Sequence, residues 1–120
     1  MLIRMLRAKL HRAMVTSAAL DYHGSITIDE TLLRAAGLLP HEVVTLGNSS
    51  NGLRAETYVL KAPAGSGIVQ VNGAIARIAQ PGDRLIVMSF AYLTPEEAPA
   101  HKPRIVVCDE RNRIAEQWEG

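Results

Sequence analysis

The chain has one cysteine, Cys108. No disulfide can form within it, which excludes the disulfide-stapled secreted class and fits a reducing compartment. Neither sign of charge dominates: 13 Lys and Arg stand against 12 Asp and Glu, a formal net charge of +1. That balance leaves bulk attraction to an anion open. Together with an aromatic content of only 4%, it weighs against a nucleic-acid-binding barrel. No uninterrupted apolar run approaches membrane-spanning length. The opening Met-Leu-Ile-Arg-Met-Leu-Arg is too short and too charged for a signal peptide, so a soluble cytoplasmic chain is expected. No Cys/His cluster has metal-ligand spacing, and no metal is expected. There is no internal repeat and no linker.

What is present is one domain's worth of core. The chain has 120 residues, 48% of them hydrophobic, enough to bury a single core and too apolar for disorder. One local charge bias stands at the start, where Arg4, Arg7, Lys9 and Arg12 precede the first acid, Asp21. Four cations could form a small phosphate-binding patch; the plainer reading is solvated surface with one or two site residues.

The pattern along the chain predicts short strands at close intervals. Residues 2–7 and 11–17 read as strands, followed by a turn at His23-Gly24-Ser25 and a strand over Ile26-Thr27-Ile28. Asp29 suits a helix N-cap, because its carboxylate accepts the free N–H groups of a first turn. The helix Glu30 to Ala36 then ends at Gly37, with Pro40 blocking continuation. Glu42 to Leu46 and Leu53 to Lys61 flank a turn-rich segment ending in Asn51-Gly52, a strong hairpin signal. Ala62 to Gly67 reads as a loop and Ile68 to Val71 as a strand. Asn72 is placed to cap a short helical turn through Ala74-Ile75-Ala76. Pro81-Gly82-Asp83 is a turn. Arg84 to Tyr92 is a long strand, apolar on both faces, as in a barrel wall or a subunit contact. The proline-bearing stretch 94–104 reads as an extended connection, Ile105 to Cys108 as a last strand, and the polar tail from Asp109 as frayed. The sum is an all-β barrel or sandwich of six or seven strands with two short helices.

Few residues demand a chemical role singly. Gly24-Ser25 reads as a turn in which Gly supplies an unusual backbone angle and Ser a hydrogen bond. A triad of Ser25, His11 and Asp21 or Asp29 lacks the Gly-x-Ser-x-Gly elbow. On the strand from Leu53, a period of two puts Arg54, Glu56 and Tyr58 on one face and Thr57 on the other. A guanidinium and a phenol on one face could hold a carboxylate and donate a proton, although such a face is also ordinary wet sheet. Asn72-Gly73-Ala74 offers backbone N–H groups to an anion, or is a plain capped turn.

As a set these residues resemble the pyruvoyl-dependent aspartate 1-decarboxylase family. The likeness runs from the start to about Tyr92. It is carried by Lys9-Leu10-His11-Arg12, Val15-Thr16, Leu20, Tyr22-x-Gly24-Ser25, Ile28-Asp29, Ala35-Ala36-Gly37, Asn51-Gly52, Thr57-Tyr58, Val71-Asn72-Gly73-Ala74-x-Ala76, Gly82-Asp83, Ile86 and Ser89-Phe90. The resemblance implies a six-stranded double-psi β-barrel with two or three short helices, assembled as a homotetramer with sites between subunits.

It also implies that the chain cuts itself between Gly24 and Ser25 into residues 1–24 and 25–120, with or without a maturation factor. Ser25 attacks the Gly24 carbonyl, Thr57 stabilises the oxyanion, and elimination and hydrolysis turn residue 25 into a covalent pyruvoyl cofactor. No pyridoxal phosphate is implied. The pyruvoyl would form a Schiff base with L-aspartate, Tyr58 would be the proton donor, and the product would be β-alanine for pantothenate synthesis. Substrate contacts would come from Lys9, Arg54, Thr57, Asn72, Gly73, Ala74 and Ile75. Two departures stand out. Position 47 is Gly where bacterial members carry a large aromatic, which opens one pocket wall, and position 26 is Ile where relatives often carry Cys. The alternative is a barrel that folds, is never cut and serves only as a binding module.

Overall fold

A computed structural model describes residues 1–120. Its strands are β1 (Ile3–Met14), β2 (Ser17–Ala19), β3 (Ser25–Asp29), β4 (Val43–Asn48), β5 (Arg54–Ala62), β6 (Val69–Asn72), β7 (Arg84–Leu93), β8 (Arg104–Cys108) and β9 (Ile114–Glu119). One α-helix, α1 (Glu30–Ala36), and two 3-10 turns, Gly73–Arg77 and Ala98–Ala100, complete the chain. The order of hydrogen-bonded neighbours is β2-β6-β3-β5-β4-β7-β1-β8-β9. Since β1 and β2 are one bent length of chain, separated only by Val15 and Thr16, the two ends of the run β2 to β1 are joined. Thr16 reinforces the closure, donating its N–H to Val69 O at 2.7 Å and its hydroxyl to the same oxygen at 3.0 Å. The wall is thus a ring of six strands, as expected for an all-β barrel, with β8 and β9 packed outside it on β1.

Period-two alternation decides what fills the ring. Leu10, Ile26, Ile28, Val44, Leu46, Val59, Val69, Val71, Leu85 and Val87 point inward and are fully buried. Leu32, Leu33 and Ala36 of α1 plug one side of this core. The helix is ended as the sequence predicts. Asp29 accepts from Thr31 N at 2.8 Å, and Gly37 takes the left-handed conformation with φ +75°. Asp29 does more than cap: its carboxylate also accepts from Gly65 N at 2.9 Å and Gly67 N at 2.8 Å, tying the 62–67 loop to the helix start. Burial alone would raise the Asp29 carboxyl. The N–H groups of Gly67, Thr31 and Gly65 outweigh it and hold the carboxyl below its ordinary range.

Several local expectations are corrected. Residues 2–7 and 11–17 are not two strands, because β1 runs on from the first into the second as far as Met14 and absorbs the irregularity in a register shift between Leu10 and Ala13, with Arg12 at φ +64°. The tail is not frayed. Ile114–Glu119 pairs antiparallel with β8, and Asn112 anchors the approach by exchanging hydrogen bonds with Met14 at 2.8 Å. On β7 the inward residues Leu85, Val87 and Ser89 are buried, while Ile86, Met88 and Phe90 form an outward apolar row that is only half-covered. No helix is long and apolar enough to cross a membrane.

Candidate functional site

Three neighbouring strands, β5, β3 and β6, carry the site on their outer face. Their inner residues, Val59, Ile26 and Val71, fill the barrel. Alternation therefore turns Tyr58, Ser25 and Asn72 outward together. The register aligns them: Ser25 lies opposite Asn72 across β3 and β6, and the parallel pairing of Ile26 with Val59 puts Ser25 beside Tyr58.

Ser25 is fully buried although Gly24, next to it, is exposed. The Ser25 hydroxyl donates to His23 O at 3.3 Å and accepts from Asn72 Nδ2 at 2.9 Å. Asn72 Nδ2 also donates to Thr27 Oγ1 at 3.0 Å, and Asn72 Oδ1 accepts from Gln70 Nε2 at 2.7 Å. Gln70 Oε1 in turn accepts from Ser17 Oγ at 2.8 Å. Asn72 is thus not the side-chain cap expected for the turn that follows it; its amide is spent on Ser25, Thr27 and Gln70 instead. Hydrogen-bonding a buried amide fully avoids a desolvation cost of about 1–3 kcal/mol.

Glycine is needed in this turn at a different place from the one expected. Gly24 is not among the glycines with positive φ, and a Cβ there would meet open space. The crowding lies on Gly73, at φ +68°, where a Cβ would stand 2.8 Å from Gly24 Cα, 2.9 Å from Gly24 N and 3.0 Å from Tyr22 O. Only a residue without a side chain lets the 22–24 turn rest there. Ala74 follows in the exposed part of the 3-10 turn, whereas the Ile75 side chain belongs to the core.

The remaining predicted residues are spread out. Thr57 lies on the inner face of β5 opposite Val44, as the strand period requires. Arg54 is exposed on the outer face and pairs with Gly47. It is four residues from Tyr58, or about 13 Å along an extended strand. A Cβ at Gly47 would meet nothing within 4 Å. Lys9 is on β1, between Met88 and Ile105, turned outward from the buried Ala8 and Leu10. One chain therefore brings together Gly24, Ser25, Tyr58, Asn72 and Gly73, and leaves Lys9 and Arg54 apart from them.

Four residues that the motifs did not single out join this site: Ser17, Thr27, Gln70 and His41. Thr27 and Gln70 were accessible in principle, since a period of two places them on the faces of Ser25 and Asn72. His41 carried no signal. It stacks on Tyr58, with ring centroids 6.4 Å apart and planes at 29°. Its backbone takes φ +72°, held by a 2.6 Å bond from His41 N to Val59 O. The adjoining Glu42 accepts from Leu39 N at 3.0 Å and from Arg7 and Ser89, which clamps the loop. Burial alone would raise the Glu42 carboxyl, but the bonds from Ser89, Leu39 and Arg7 hold it below its ordinary range.

The catalytic triad has no geometric basis. His11 is on β1 opposite Val107, its Nδ1 is buried without a partner, and burial together with Lys9 and Arg12 pushes its pKa down. The Asp29 carboxylate is committed to three backbone N–H groups. Cys108 is no nucleophile either: it is buried, and its thiol is pushed up to about 12. No three His, Cys, Asp or Glu side chains converge as a metal site would need.

Comparison with known proteins identifies a family. The family described as “Aspartate decarboxylase” matches residues 1–115, so the likeness extends beyond Tyr92, where the motifs fade. A protein named Aspartate 1-decarboxylase from Pelotomaculum thermopropionicum is 50% identical over 120 residues, 100% of this chain and 91% of that protein. One of the same name from Caldicellulosiruptor saccharolyticus is 53% identical over 114 residues, 95% of this chain and 89% of the other. A third, from Salinibacter ruber, is 56% identical over 112 residues, 93% and 77% of the two chains.

Proposed function

The chain belongs to the aspartate decarboxylase family, and on that footing we propose that it is a self-processing aspartate 1-decarboxylase whose cofactor is a pyruvoyl group made from Ser25. The observation that carries the reading is the pairing of a buried Ser25 hydroxyl, held by Asn72, with an exposed Gly24 resting on Gly73. The serine oxygen is positioned while the preceding peptide remains in a turn that can part without unravelling a strand. In the cut, the Oγ–carbon bond to Gly24 forms as the Gly24–Ser25 C–N bond breaks. The hydroxyl proton ends on the freed amine of residue 25. Loss of the residue 25 α-proton then expels the Gly24 carboxylate, and water replaces the nitrogen, releasing ammonia. Residues 1–24 and 25–120 stay packed, because β1 and β2 remain hydrogen-bonded to β7, β8 and β6.

Once formed, the pyruvoyl would supply a carbonyl open to the α-amine of L-aspartate and an electron sink for decarboxylation. The residues around it fit the making and use of such a group: Asn72 offers amide donors to the Ser25 oxygen, which departs in the Gly24 carboxylate, and Tyr58 stands on the adjoining strand with a phenol to return a proton. Gly73, Ala74 and Ile75 present backbone donors to substrate; Thr57, on the face of β5 opposite to Tyr58, serves the oxyanion of the cut only if the site lies at a strand edge or between copies. Arg54 and Lys9 are the cations for the two carboxylates of aspartate. Their separation from Ser25 within one chain supports a site shared between copies, and the outward row Ile86, Met88 and Phe90 supports a subunit contact. The assembly is a cytoplasmic homotetramer making β-alanine for pantothenate synthesis.

Denaturing mass spectrometry of the purified chain, followed through prolonged warming with and without cell extract, tests the reading. The expected result is two species, residues 1–24 and a pyruvoyl-bearing 25–120, while Ser25→Ala remains whole and inactive. An intact wild-type chain under both conditions would leave the binding-module alternative.

A further inference from the structure

Resting on the reading of Gly24–Ser25 as the scissile pair, we infer that Gln70, held by Ser17, is a positioning residue for the self-cleavage: it sets which end of the Asn72 amide faces Ser25. The Asn72 side chain can present either its NH2 or its oxygen to β3, since the two ends have nearly the same shape. What distinguishes them is the partner on the other side. Gln70 presents Nε2 to Asn72 at 2.7 Å, so Asn72 Oδ1 must face Gln70 and Asn72 Nδ2 must face Ser25 and Thr27. Gln70 has the same two-way freedom. Ser17 holds the observed orientation, donating its hydroxyl to Gln70 Oε1 at 2.8 Å and leaving Nε2 to face Asn72.

The sheet fixes this line of groups without help from loops. Gln70 lies opposite Thr27 on one side and Ser17 on the other, as β6 is sandwiched between β3 and β2. The consequence at Ser25 is specific. With Nδ2 facing it, the Ser25 oxygen uses one lone pair to accept from Asn72 and its hydrogen to reach His23 O at 3.3 Å. The second lone pair is left for the Gly24 carbonyl carbon, and the oxygen is already anchored. With the amide reversed, the hydroxyl would turn its hydrogen toward Asn72 Oδ1 and lose His23 O. In the step itself the Oγ–carbon bond forms, the Gly24–Ser25 C–N bond breaks, and the hydroxyl proton passes to the residue 25 amine. Gln70 touches none of these atoms and acts only through Asn72.

The test is the rate at which freshly purified chain converts to 1–24 and 25–120, read by denaturing mass spectrometry for wild type, Gln70→Leu, Gln70→Glu and Ser17→Ala. Losing one oriented hydrogen bond corresponds to about a tenfold slower cut for Gln70→Leu, with a smaller slowing for Ser17→Ala, where Gln70 merely regains its freedom. Gln70→Glu keeps the shape but has only acceptors when ionised. It forces Asn72 to give its NH2 to residue 70, and it should slow cleavage at neutral pH at least as much as Gln70→Leu. Protonated, the same carboxyl can donate. The ratio of the Gln70→Glu rate to wild type should therefore climb as pH falls through the carboxyl range, whereas that of Gln70→Leu stays flat. A role in packing alone would leave both ratios independent of pH. Gln70 variants that fold, by far-ultraviolet circular dichroism, and cut at the wild-type rate overturn the role of Gln70 and leave the scissile bond standing. A wild-type chain that never cuts overturns both.

Discussion

Replacing Gly73 with alanine separates two effects that glycine usually combines. At φ +68° an alanine is strained by about 1–2 kcal/mol, which lowers stability wherever it occurs. At Gly73 there is also a collision, with Gly24 Cα at 2.8 Å, Gly24 N at 2.9 Å and Tyr22 O at 3.0 Å. All three are backbone atoms, so no side chain can swing aside. To restore ordinary van der Waals contact the 22–24 turn must retreat by about 0.6 Å, carrying the Gly24 carbonyl away from the anchored Ser25 oxygen. A misplacement of about 1 Å at a reacting centre costs roughly a hundredfold in rate, so a tenfold or greater slowing of self-cleavage is expected. Gly52→Ala is the matched control: its φ is +77° and its Cβ would meet open space. Urea titration should show both variants destabilised, and a mass-spectrometric time course should show only Gly73→Ala slow to cut. Equal cleavage rates in the two variants would refute the argument that Gly73 positions the scissile turn.

Tyr58→Phe should cleave at the wild-type rate, since it keeps the ring that stacks on His41, yet turn over aspartate about a hundredfold more slowly; undiminished β-alanine production would remove Tyr58 as proton donor. Asp29→Ala should cost about 2–3 kcal/mol in urea titration, because it removes a helix cap, strands the buried N–H of Gly67 and loses the bond from the exposed Gly65. The Asp29 and Glu42 carboxyls are both lowered in the folded chain from ordinary values of 3.8 and 4.5. The stability they add is therefore complete above those values and is lost as pH falls below them through the folded ones. The acid limb of a stability-versus-pH curve should flatten in Asp29→Ala, and an unchanged limb would contradict the assignment.

How much of this was legible beforehand varies from residue to residue. Local chemistry was readable: Asp29 and Gly37 bracket α1 as expected, because a cap depends only on its neighbours in sequence. Asn51-Gly52 announced the β4–β5 hairpin for the same reason, and the period of two put Tyr58 and Thr57 on opposite faces of β5. The tail was misjudged because Ile114–Glu119 is polar and mostly exposed, and what orders it is a ladder to β8 that no local pattern encodes. Asn72 was misjudged because a capping position and a cross-strand partner carry the same residue type, and only the β3–β6 register chooses between them.

By itself, then, the sequence determined the all-β class and the motif set that assigns the family, since alternation, turn chemistry and residue spacing are properties of the chain alone. The tertiary structure decided the rest. Closure of the barrel through the bent β1–β2 run brings Ser17, Gln70, Asn72 and Ser25 into one hydrogen-bonded line from three strands. It moved the need for glycine from position 24 to position 73, because the crowding comes from backbone roughly fifty residues away in sequence. Hydrogen-bond direction and close contact depend on which strands are neighbours, and neighbours are fixed only when the ring is closed.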